Sequence, residues 1–221
     1  RNFISIKDQL NTNAPNYGGW ETEHKKFSDK KINFAFNLGL DHALNSNSTI
    51  YGRIGNGFRY PNIDDRIGGS GGTSLELKTQ KTKDFEIGSR FLYNNFSSNI
   101  STYLIEGKNE LAYDTDAFQN MNINSTRRYG IELKTKNKIS NNLNLTNNFT
   151  FAKAKYTSGD QGTYATDFKD KDVPLVPQYS LNTNLEFQIS KFTKIIPSIR
   201  FQDDMRMESD DENFQETKIP G

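Results

Sequence analysis

The chain has 221 residues, of which 33% are hydrophobic and 12% aromatic, with 16 Phe and 10 Tyr. This composition is too polar for an ordinary globular core and too aromatic for a disordered chain, but it fits a barrel wall with one apolar side around a wet lumen. The net charge of +1 includes no basic excess that would neutralise phosphates along a nucleic acid, so no such partner is expected.

Strand patterns follow one another along the whole chain. A strand end at residues 1–7 and a polar, turn-rich stretch at 8–30 come first. Strict alternation of apolar with polar or small residues from Ile32 to Asp41 then predicts a strand with two different faces. No stretch has a convincing period of 3.6 residues, and the remaining strands are predicted at 48–59, 83–94, 99–107, 123–138, 143–157, 178–190 and 192–203.

The strand at 48–59 shows the two faces most clearly. Ile54 lies on its apolar face, whereas Arg53 and Arg59 lie on the other. Pro61 ends the strand because proline has no N–H for the ladder. The strand therefore has one apolar face and one charged face and is followed by a long loop. This pattern indicates a sheet with an apolar environment on one side and water on the other.

Connections of two lengths alternate along the chain. Short turns are predicted near 45–48, 94–98, 139–142 and 190–191, and long loops near 60–82, 108–122, 158–176 and 204–217. In an antiparallel meander, alternate connections fall on the same edge, so one edge has the turns and the other the loops. This asymmetry is typical of outer-membrane barrels and not of soluble sandwiches or lipocalin-like barrels. The sequence therefore predicts an all-β, antiparallel, up-and-down transmembrane β-barrel.

The barrel is expected to be partial. About eight strands could close a small barrel filled by side chains, but a wet or plugged lumen accommodates the many charged inward residues more easily. Pro197 also falls inside the last strand, where it forfeits a ladder bond. Because the chain starts within a strand pattern and finishes in a loop, we expect it to be a fragment of a larger barrel. The inward set includes Arg53, Arg59, Glu86, Arg90, Glu132, Lys134 and Glu186.

No catalytic or metal-binding constellation is predicted. The chain has no Cys and only two His, His24 and His42, which are interpreted as solvated. Gly68–Gly72 lacks the Lys-Ser/Thr pair of a phosphate loop and is interpreted as a flexible loop. The acidic run Asp203–Glu212 lacks the spacing of a calcium loop and is interpreted as a solvated extracellular loop. We therefore expect no enzyme activity and no cofactor.

Four segments resemble, in order, elements of one family. Gly57–Asp65 resembles the aromatic-Arg-x-Pro segment late in the barrel of TonB-dependent outer-membrane receptors. Leu77–Gly88 is similar to the strand start that follows it, although Thr79-Gln80 replaces the family's Pro-Glu pair. Asn124–Leu133 and Val173–Ser180 resemble two later strand entries of the same barrel.

The resemblance implies a 22-stranded barrel in the bacterial outer membrane, of which this chain would supply about eight strands. It also implies a plug domain within the same full-length chain; the plug and the final strands are expected to lie outside residues 1–221. Such receptors import a ferric siderophore, haem, cobalamin or another scarce nutrient with energy from TonB. The implied partners are outer-membrane lipid, the extracellular ligand, the plug and, through it, TonB.

Ligand contacts are predicted at Arg53, Arg59, Tyr60 and Arg66, which face inward or lie at the long-loop edge. Guanidinium groups suit the carboxylate or catecholate oxygens of anionic ferric complexes. The alternative is that Arg53 and Arg59 pair with carboxylates of the lumen or plug. Aromatic residues near strand ends could stack on a ligand, but an interfacial girdle is the favoured interpretation for Tyr51, Tyr93, Tyr103 and Tyr156.

Two other functions stay open on the sequence alone. One is an outer-membrane binding or adhesion barrel without energised uptake. The other is a soluble β-protein that binds carbohydrate.

Overall fold

The structure, a computed structural model, describes residues 2–7, 26–67, 77–114, 119–123, 125–158, 168–208 and 210–221. His24 and Gly68–Gly72 lie outside these ranges. Within them, no helix is long and apolar enough to cross a membrane. The strands are β1 (Asn2–Lys7), β2 (Lys26–Lys31), β3 (Phe36–Asn45), β4 (Ser48–Arg59), β5 (Gln80–Tyr93), β6 (Phe96–Lys108), β7 (Glu110–Asp114), β8 (Gln119–Ile123), β9 (Thr126–Ser140), β10 (Leu143–Tyr156), β11 (Tyr179–Ser190), β12 (Thr193–Ile195) and β13 (Ser198–Gln202), with one short helix, α1 (Ile63–Ile67).

Nine of these strands form one antiparallel meander in the order β12-β11-β10-β9-β6-β5-β4-β3, with β13 also paired to β11. β12 and β13 are two parts of one strand, interrupted at Pro197, so the sheet is eight strands wide. The carbonyl of Pro197 still accepts a hydrogen bond from the Leu185 amide at 3.0 Å. The predicted all-β, up-and-down architecture of about eight strands is confirmed.

The sheet has an apolar face and a polar face. Cross-strand register aligns Leu38, Ile54, Phe85 and Leu104 in one row of the apolar face. Within the described ranges no other element packs on this face, and Leu38 is 66% exposed and Ile87 62% exposed. A sheet with exposed apolar side chains on one side and no packed core behind them suits contact with lipid.

The two edges of the sheet differ in their connections. At one edge, two-residue turns join β3 to β4, β5 to β6, β9 to β10 and β11 to β12. In the second of these turns Asn94 adopts a φ of 46°, the left-handed conformation that tight hairpins require. The other edge carries every long connection of the sheet within the described residues. We call these the short-turn edge and the long-loop edge.

Two predicted loops contain regular structure. The connection at 60–82 includes α1, and the connection at 108–122 includes the β7–β8 hairpin. The predicted strand Ile32–Asp41 is also shifted, because residues 32–35 are irregular and β3 begins at Phe36. Asn56 of β4 occupies the place of a ladder partner there: its side chain accepts from the Phe36 amide and donates to the Phe34 carbonyl, both at 2.9 Å.

Candidate functional site

A recess of about 400 Å³ opens on the polar face between β4 and β10. Its lining combines charges of both signs with a tyrosine, as alternation in β4, β5, β6 and β9 dictates. The lining residues that face this side of the sheet include Arg53, Asp84, Glu86, Ser101, Tyr103, Arg128 and Glu132. Such a surface can bind an anionic or hydrogen-bonding ligand, and it can equally bind a protein segment that fills the lumen.

Arg53 is paired with carboxylates of the neighbouring strand. Its Nη2 lies 3.2 Å from Glu86 Oε2 and 3.4 Å from Asp84 Oδ2. Its side chain is nevertheless 43% exposed, so the guanidinium keeps a free surface toward the recess. The structure therefore shows ion pairing for Arg53 within the barrel wall itself.

Tyr51 and Arg90 extend this network toward the short-turn edge. The Tyr51 hydroxyl lies 3.1 Å from Glu86 Oε1, and the Arg90 guanidinium stacks 4.2 Å from the centre of the Tyr51 ring. Arg90 also pairs with Asp41 at 2.7 Å. Sequence alternation had placed Arg90 and Glu86 on one face, but it did not identify Tyr51 as their partner.

Two tyrosines on the polar face lie over glycines of the next strand. Tyr51 is directly opposite Gly88, and Tyr103 is directly opposite Gly130. A Cβ at Gly88 would lie 2.5 Å from the Tyr51 ring, and one at Gly130 would lie 2.7 Å from the Tyr103 hydroxyl. Glycine at these positions therefore lets the aromatic rings lie flat against the wall.

A buried charge cluster lies where the β7–β8 hairpin meets β9. Arg128 donates two hydrogen bonds to Glu110, at 2.5 and 2.7 Å, and the Thr126 hydroxyl donates to the same carboxylate. Burial by itself would raise the pKa of the Glu110 carboxyl, but the hydrogen bonds from Arg128 and Thr126 outweigh it and lower that pKa below its ordinary value. The cluster fixes the hairpin to the sheet. Sequence reasoning missed it, because Glu110 falls in a stretch predicted to be a loop.

Arg59 lies at the start of the long connection after β4. Its Nη2 binds both oxygens of Asp65, at 2.9 and 3.0 Å. Asp65 in turn forms a reciprocal capping box with Asn62: each side chain accepts the other residue's backbone N–H, at 2.6 and 2.8 Å. Arg59 therefore pairs with a carboxylate of its own loop.

Tyr60 and Arg66 have different environments. The Tyr60 hydroxyl accepts a hydrogen bond from Asn33 at 3.1 Å, and the Tyr60 ring packs edge-on against Phe58. Arg66 is only 2% exposed, and its Nη2 donates to the Leu77 carbonyl at 3.4 Å. The structure thus places Arg53 and Arg59 at exposed positions and Tyr60 at a half-buried one, whereas Arg66 is buried.

The acidic segment near the C-terminus is more ordered than predicted. Asp210 is 4% exposed, and one of its carboxylate oxygens accepts the amides of Phe214 and Gln215 at 2.9 and 3.2 Å. Arg206 binds its other oxygen at 3.1 Å. Asp210 is thus a structural residue, in contrast to the solvated loop predicted for Asp203–Glu212. Among the described residues, no group of three or more His, Cys, Asp or Glu could hold a metal ion.

Comparison with known protein families identifies the family to which this sheet belongs. Residues 7–221 match the family described as TonB-dependent receptor-like, β-barrel. The chain belongs to the TonB-dependent receptor β-barrel family. No curated protein sequence matches it significantly.

Solved receptors share the fold at low sequence identity. FyuA of Yersinia pestis, a ferric yersiniabactin uptake receptor, is 15% identical with a TM-score of 0.62, and the match covers 86% of this chain and 28% of FyuA. The siderophore receptor PiuA of Acinetobacter baumannii is 14% identical with a TM-score of 0.64, covering 85% and 28%. The ferric-catecholate import receptor Fiu of E. coli K12 is 14% identical with a TM-score of 0.61, covering 91% and 30%. The chain therefore spans less than a third of the length of these receptors.

Membership of the TonB-dependent receptor family confirms two predictions. Proteins of this family are located in the outer membrane of Gram-negative bacteria, and they are receptors and transporters rather than enzymes. A soluble carbohydrate-binding protein is therefore excluded. The apolar face of the sheet is the lipid face, and the polar face lines the lumen.

The predicted aromatic girdle of the TonB-dependent receptor barrel is only partly correct. Tyr93 lies on the apolar face at the short-turn edge, in a cluster with Phe91 and Phe96 whose ring centres are 6.3 to 6.4 Å apart. Tyr51 and Tyr103 instead lie on the polar face, and Tyr156 is buried, with its hydroxyl bound to Asp211. For these three, alternation within the strand outweighs nearness to the strand end.

Proposed function

We propose that this chain is part of the barrel of an energised outer-membrane importer whose cargo is a ferric siderophore or another iron complex. The observation that carries this proposal is the match of residues 7–221 to the receptor barrel family. Of the solved structures it resembles, one is described as a ferric yersiniabactin uptake receptor, one as a siderophore receptor and one as a ferric-catecholate import receptor. A mixed-charge recess on the lumen face is a suitable surface for such a ligand.

The proposed whole protein also contains further strands, a plug and a TonB contact. Within the described residues, β3 pairs only with β4, while β12 and β13 pair only with β11, so both edges of the sheet lack a partner. Unpaired backbone groups at an open edge are not tolerated in hydrocarbon. Additional strands that close the barrel, proposed to have 22 strands by resemblance to the family, satisfy both edges.

Uptake by the native strain tests the proposed function. Deletion of the full-length gene is expected to abolish accumulation of radioactive iron from its siderophore under iron limitation, and the intact gene should restore it. An uncoupler or loss of TonB should also abolish accumulation while leaving surface binding intact. Energy-independent binding without accumulation supports the alternative, a binding or adhesion barrel. Accumulation of cobalamin or another iron-free nutrient, but not of any iron complex, would overturn the proposed cargo.

Arg53, Arg59 and Tyr60 are the proposed ligand contacts. Of these, Arg53 is the most informative to change, because it borders the recess. Arg66 was predicted with them but is buried. We propose that it affects binding only indirectly, by holding the backbone at Leu77 in place. Arg53→Ala in the full-length receptor is expected to weaken ferric-ligand binding at least about tenfold, since a charged hydrogen bond contributes roughly 1.5–3 kcal/mol and about 1.4 kcal/mol is a factor of ten in affinity.

Arg127→Ala is the matched control for Arg53→Ala. Arg127 is 51% exposed and pairs with Glu106 at 2.8 Å, much as Arg53 pairs with Glu86, but it lies on the apolar face. Equilibrium binding measured by intrinsic fluorescence quenching should show a change for Arg53 only. Equal affinities of the two variants would exclude Arg53 as a contact.

A further inference from the structure

Three polar side chains form a hydrogen-bonded group on the apolar face of the sheet. Thr135 of β9, Asn147 of β10 and Thr183 of β11 lie directly opposite one another in one row. The side-chain N–H of Asn147 donates to the Thr135 hydroxyl at 3.2 Å, and the Thr183 hydroxyl donates to the side-chain carbonyl of Asn147 at 2.9 Å. We call these three residues the polar triad. Each is half-buried, so the polar triad is partly accessible from the lipid side.

The polar triad lies near the middle of the lipid-facing surface, not at its margins. Two apolar or aromatic side chains precede Asn147 on the same face of β10 and two follow it, and the same holds for Thr183 on β11. These flanking residues are Leu143, Leu145, Phe149 and Phe151 on β10, and Tyr179, Leu181, Leu185 and Phe187 on β11. A strand crosses the hydrocarbon with about 9–11 residues, so the segment 143–151 accounts for most of the crossing. The polar triad is therefore well below the depth of the lipid headgroups.

The hydrogen bonds within the polar triad leave part of its capacity unused. An asparagine amide has two N–H donors and an oxygen with two lone pairs. Within the described part of the chain, the Asn147 side chain uses one N–H and one lone pair, and the Thr135 hydroxyl accepts without donating. Polar groups without a partner are costly in hydrocarbon. The polar triad thus needs an external partner that offers both donors and acceptors at this depth.

Thr102 of β6 shows how a single polar side chain is satisfied on the same face. It lies opposite Ile87 and Ile131, and its hydroxyl donates to the Gly130 carbonyl of the neighbouring strand at 3.0 Å. The hydroxyl of Thr102 therefore needs nothing from outside the sheet. Among the described residues, neither threonine of the polar triad donates to a backbone carbonyl in this way.

We propose that the polar triad is the centre of a symmetric contact between two copies of this barrel in the outer membrane. Acyl chains offer no hydrogen bonds, so the partner must be protein. A two-fold axis beside Asn147 lets each amide donate its unused N–H to the amide oxygen of the other copy, so that one surface satisfies itself. Ser98 continues the row beside Thr135, and small side chains let two surfaces approach closely. This inference depends on the outer-membrane location and is independent of the imported nutrient.

Disulfide cross-linking in intact outer membranes tests the proposed contact. Leu145→Cys, in a full-length receptor without other cysteines, places a thiol on the apolar face next to the polar triad. Oxidation with copper phenanthroline is expected to give a product with twice the receptor's mass. The matched control is Ile87→Cys, which is on the same face of β5, three strands away, and should stay monomeric. A product containing a different protein, or no more dimer from L145C than from I87C, would overturn the proposal.

The self-association of purified receptor in detergent tests the role of the Asn147 amide. Asn147→Leu has nearly the same shape and suits lipid better, and a symmetric contact loses both amides at once. We expect this variant to raise the dimer dissociation constant about tenfold, as measured by native mass spectrometry. Thr102→Val, which also removes a polar group from the apolar face, should leave this constant unchanged.

Equal dissociation constants for N147L and the wild type would overturn the proposal. The cross-linking result decides the matter if N147L does not fold, because L145C keeps the polar triad intact. Neither experiment measures iron uptake, so failure here is distinguishable from failure of the proposed import.

Discussion

Replacing Glu110 by Ala is expected to lower the free energy of unfolding by about 2–3 kcal/mol. The Glu110 side chain is 10% exposed and Arg128 is 31% exposed, so the substitution leaves a largely buried guanidinium without its bidentate partner. Removing one member of a buried pair costs roughly 3–5 kcal/mol, and the partial exposure of Arg128 places the expected value at or below the lower end. Urea unfolding of the full-length receptor, refolded in lipid, measures this difference.

Glu106→Ala is the control for the Glu110 substitution. Glu106 pairs with Arg127 one residue before Arg128, but their side chains are 40% and 51% exposed. An exposed ion pair contributes about 0–1 kcal/mol, so this variant should unfold close to the wild type. If the two alanine variants unfolded at the same urea concentration, Glu110 would have no structural role beyond that of a surface carboxylate.

The pH dependence of unfolding gives an independent measure of the same site. The pKa of Glu110 is lowered in the folded state from an ordinary value of 4.5, so its stabilisation is present above about pH 4.5 and is lost as pH falls through the folded-state pKa. Glu110→Gln keeps the shape of the side chain but does not titrate. Its unfolding midpoint should therefore fall less than that of the wild type below pH 4.5.

Alternation of residues was sufficient to predict the architecture of the sheet. Period-2 patterning assigns each strand residue to a face, and Arg53, Glu86 and Arg90 do lie together on the polar face. The effect of proline could be predicted as well, because it depends on a single residue: Pro197 interrupts the last strand at the position where it cannot donate a ladder hydrogen bond. These features depend on neighbours within two residues, which is why the sequence alone predicts them.

The structure of the long connections could not be predicted in the same way. Glu110 is ordered by Arg128, 18 residues away, and Asn122 fixes the hairpin by hydrogen bonds to both the amide and the carbonyl of Lys78, at 2.6 and 2.9 Å. Arg66, predicted as a ligand contact, is likewise buried and donates to the carbonyl of Leu77, 11 residues away. Loop contacts of this kind have no periodic signal, so a polar loop and a folded hairpin look alike in the sequence.

Gly130→Ala is expected to destabilise the barrel by about 1–3 kcal/mol, the typical cost of forcing extra atoms into a packed site. A Cβ at this position would lie 2.2 Å from the Phe151 carbonyl oxygen and 2.7 Å from the Tyr103 hydroxyl. Tyr103 can rotate away, but Phe151 contributes a backbone atom of the paired strand β10. The β9–β10 ladder must therefore shift, and urea unfolding of the full-length receptor should show a lower midpoint.

Gly52→Ala separates this steric effect from the general effect of replacing glycine. The nearest atom to a Cβ at Gly52 is the Glu86 carbonyl oxygen at 3.8 Å, an ordinary contact, so this variant should be neutral or more stable by about 0.5–1 kcal/mol. The double variant G130A/Y103F should recover little of the loss, because it removes the hydroxyl and leaves the clash with Phe151. Full recovery would show that Tyr103 alone requires the glycine, and a Gly130→Ala variant as stable as Gly52→Ala would contradict the close strand packing altogether.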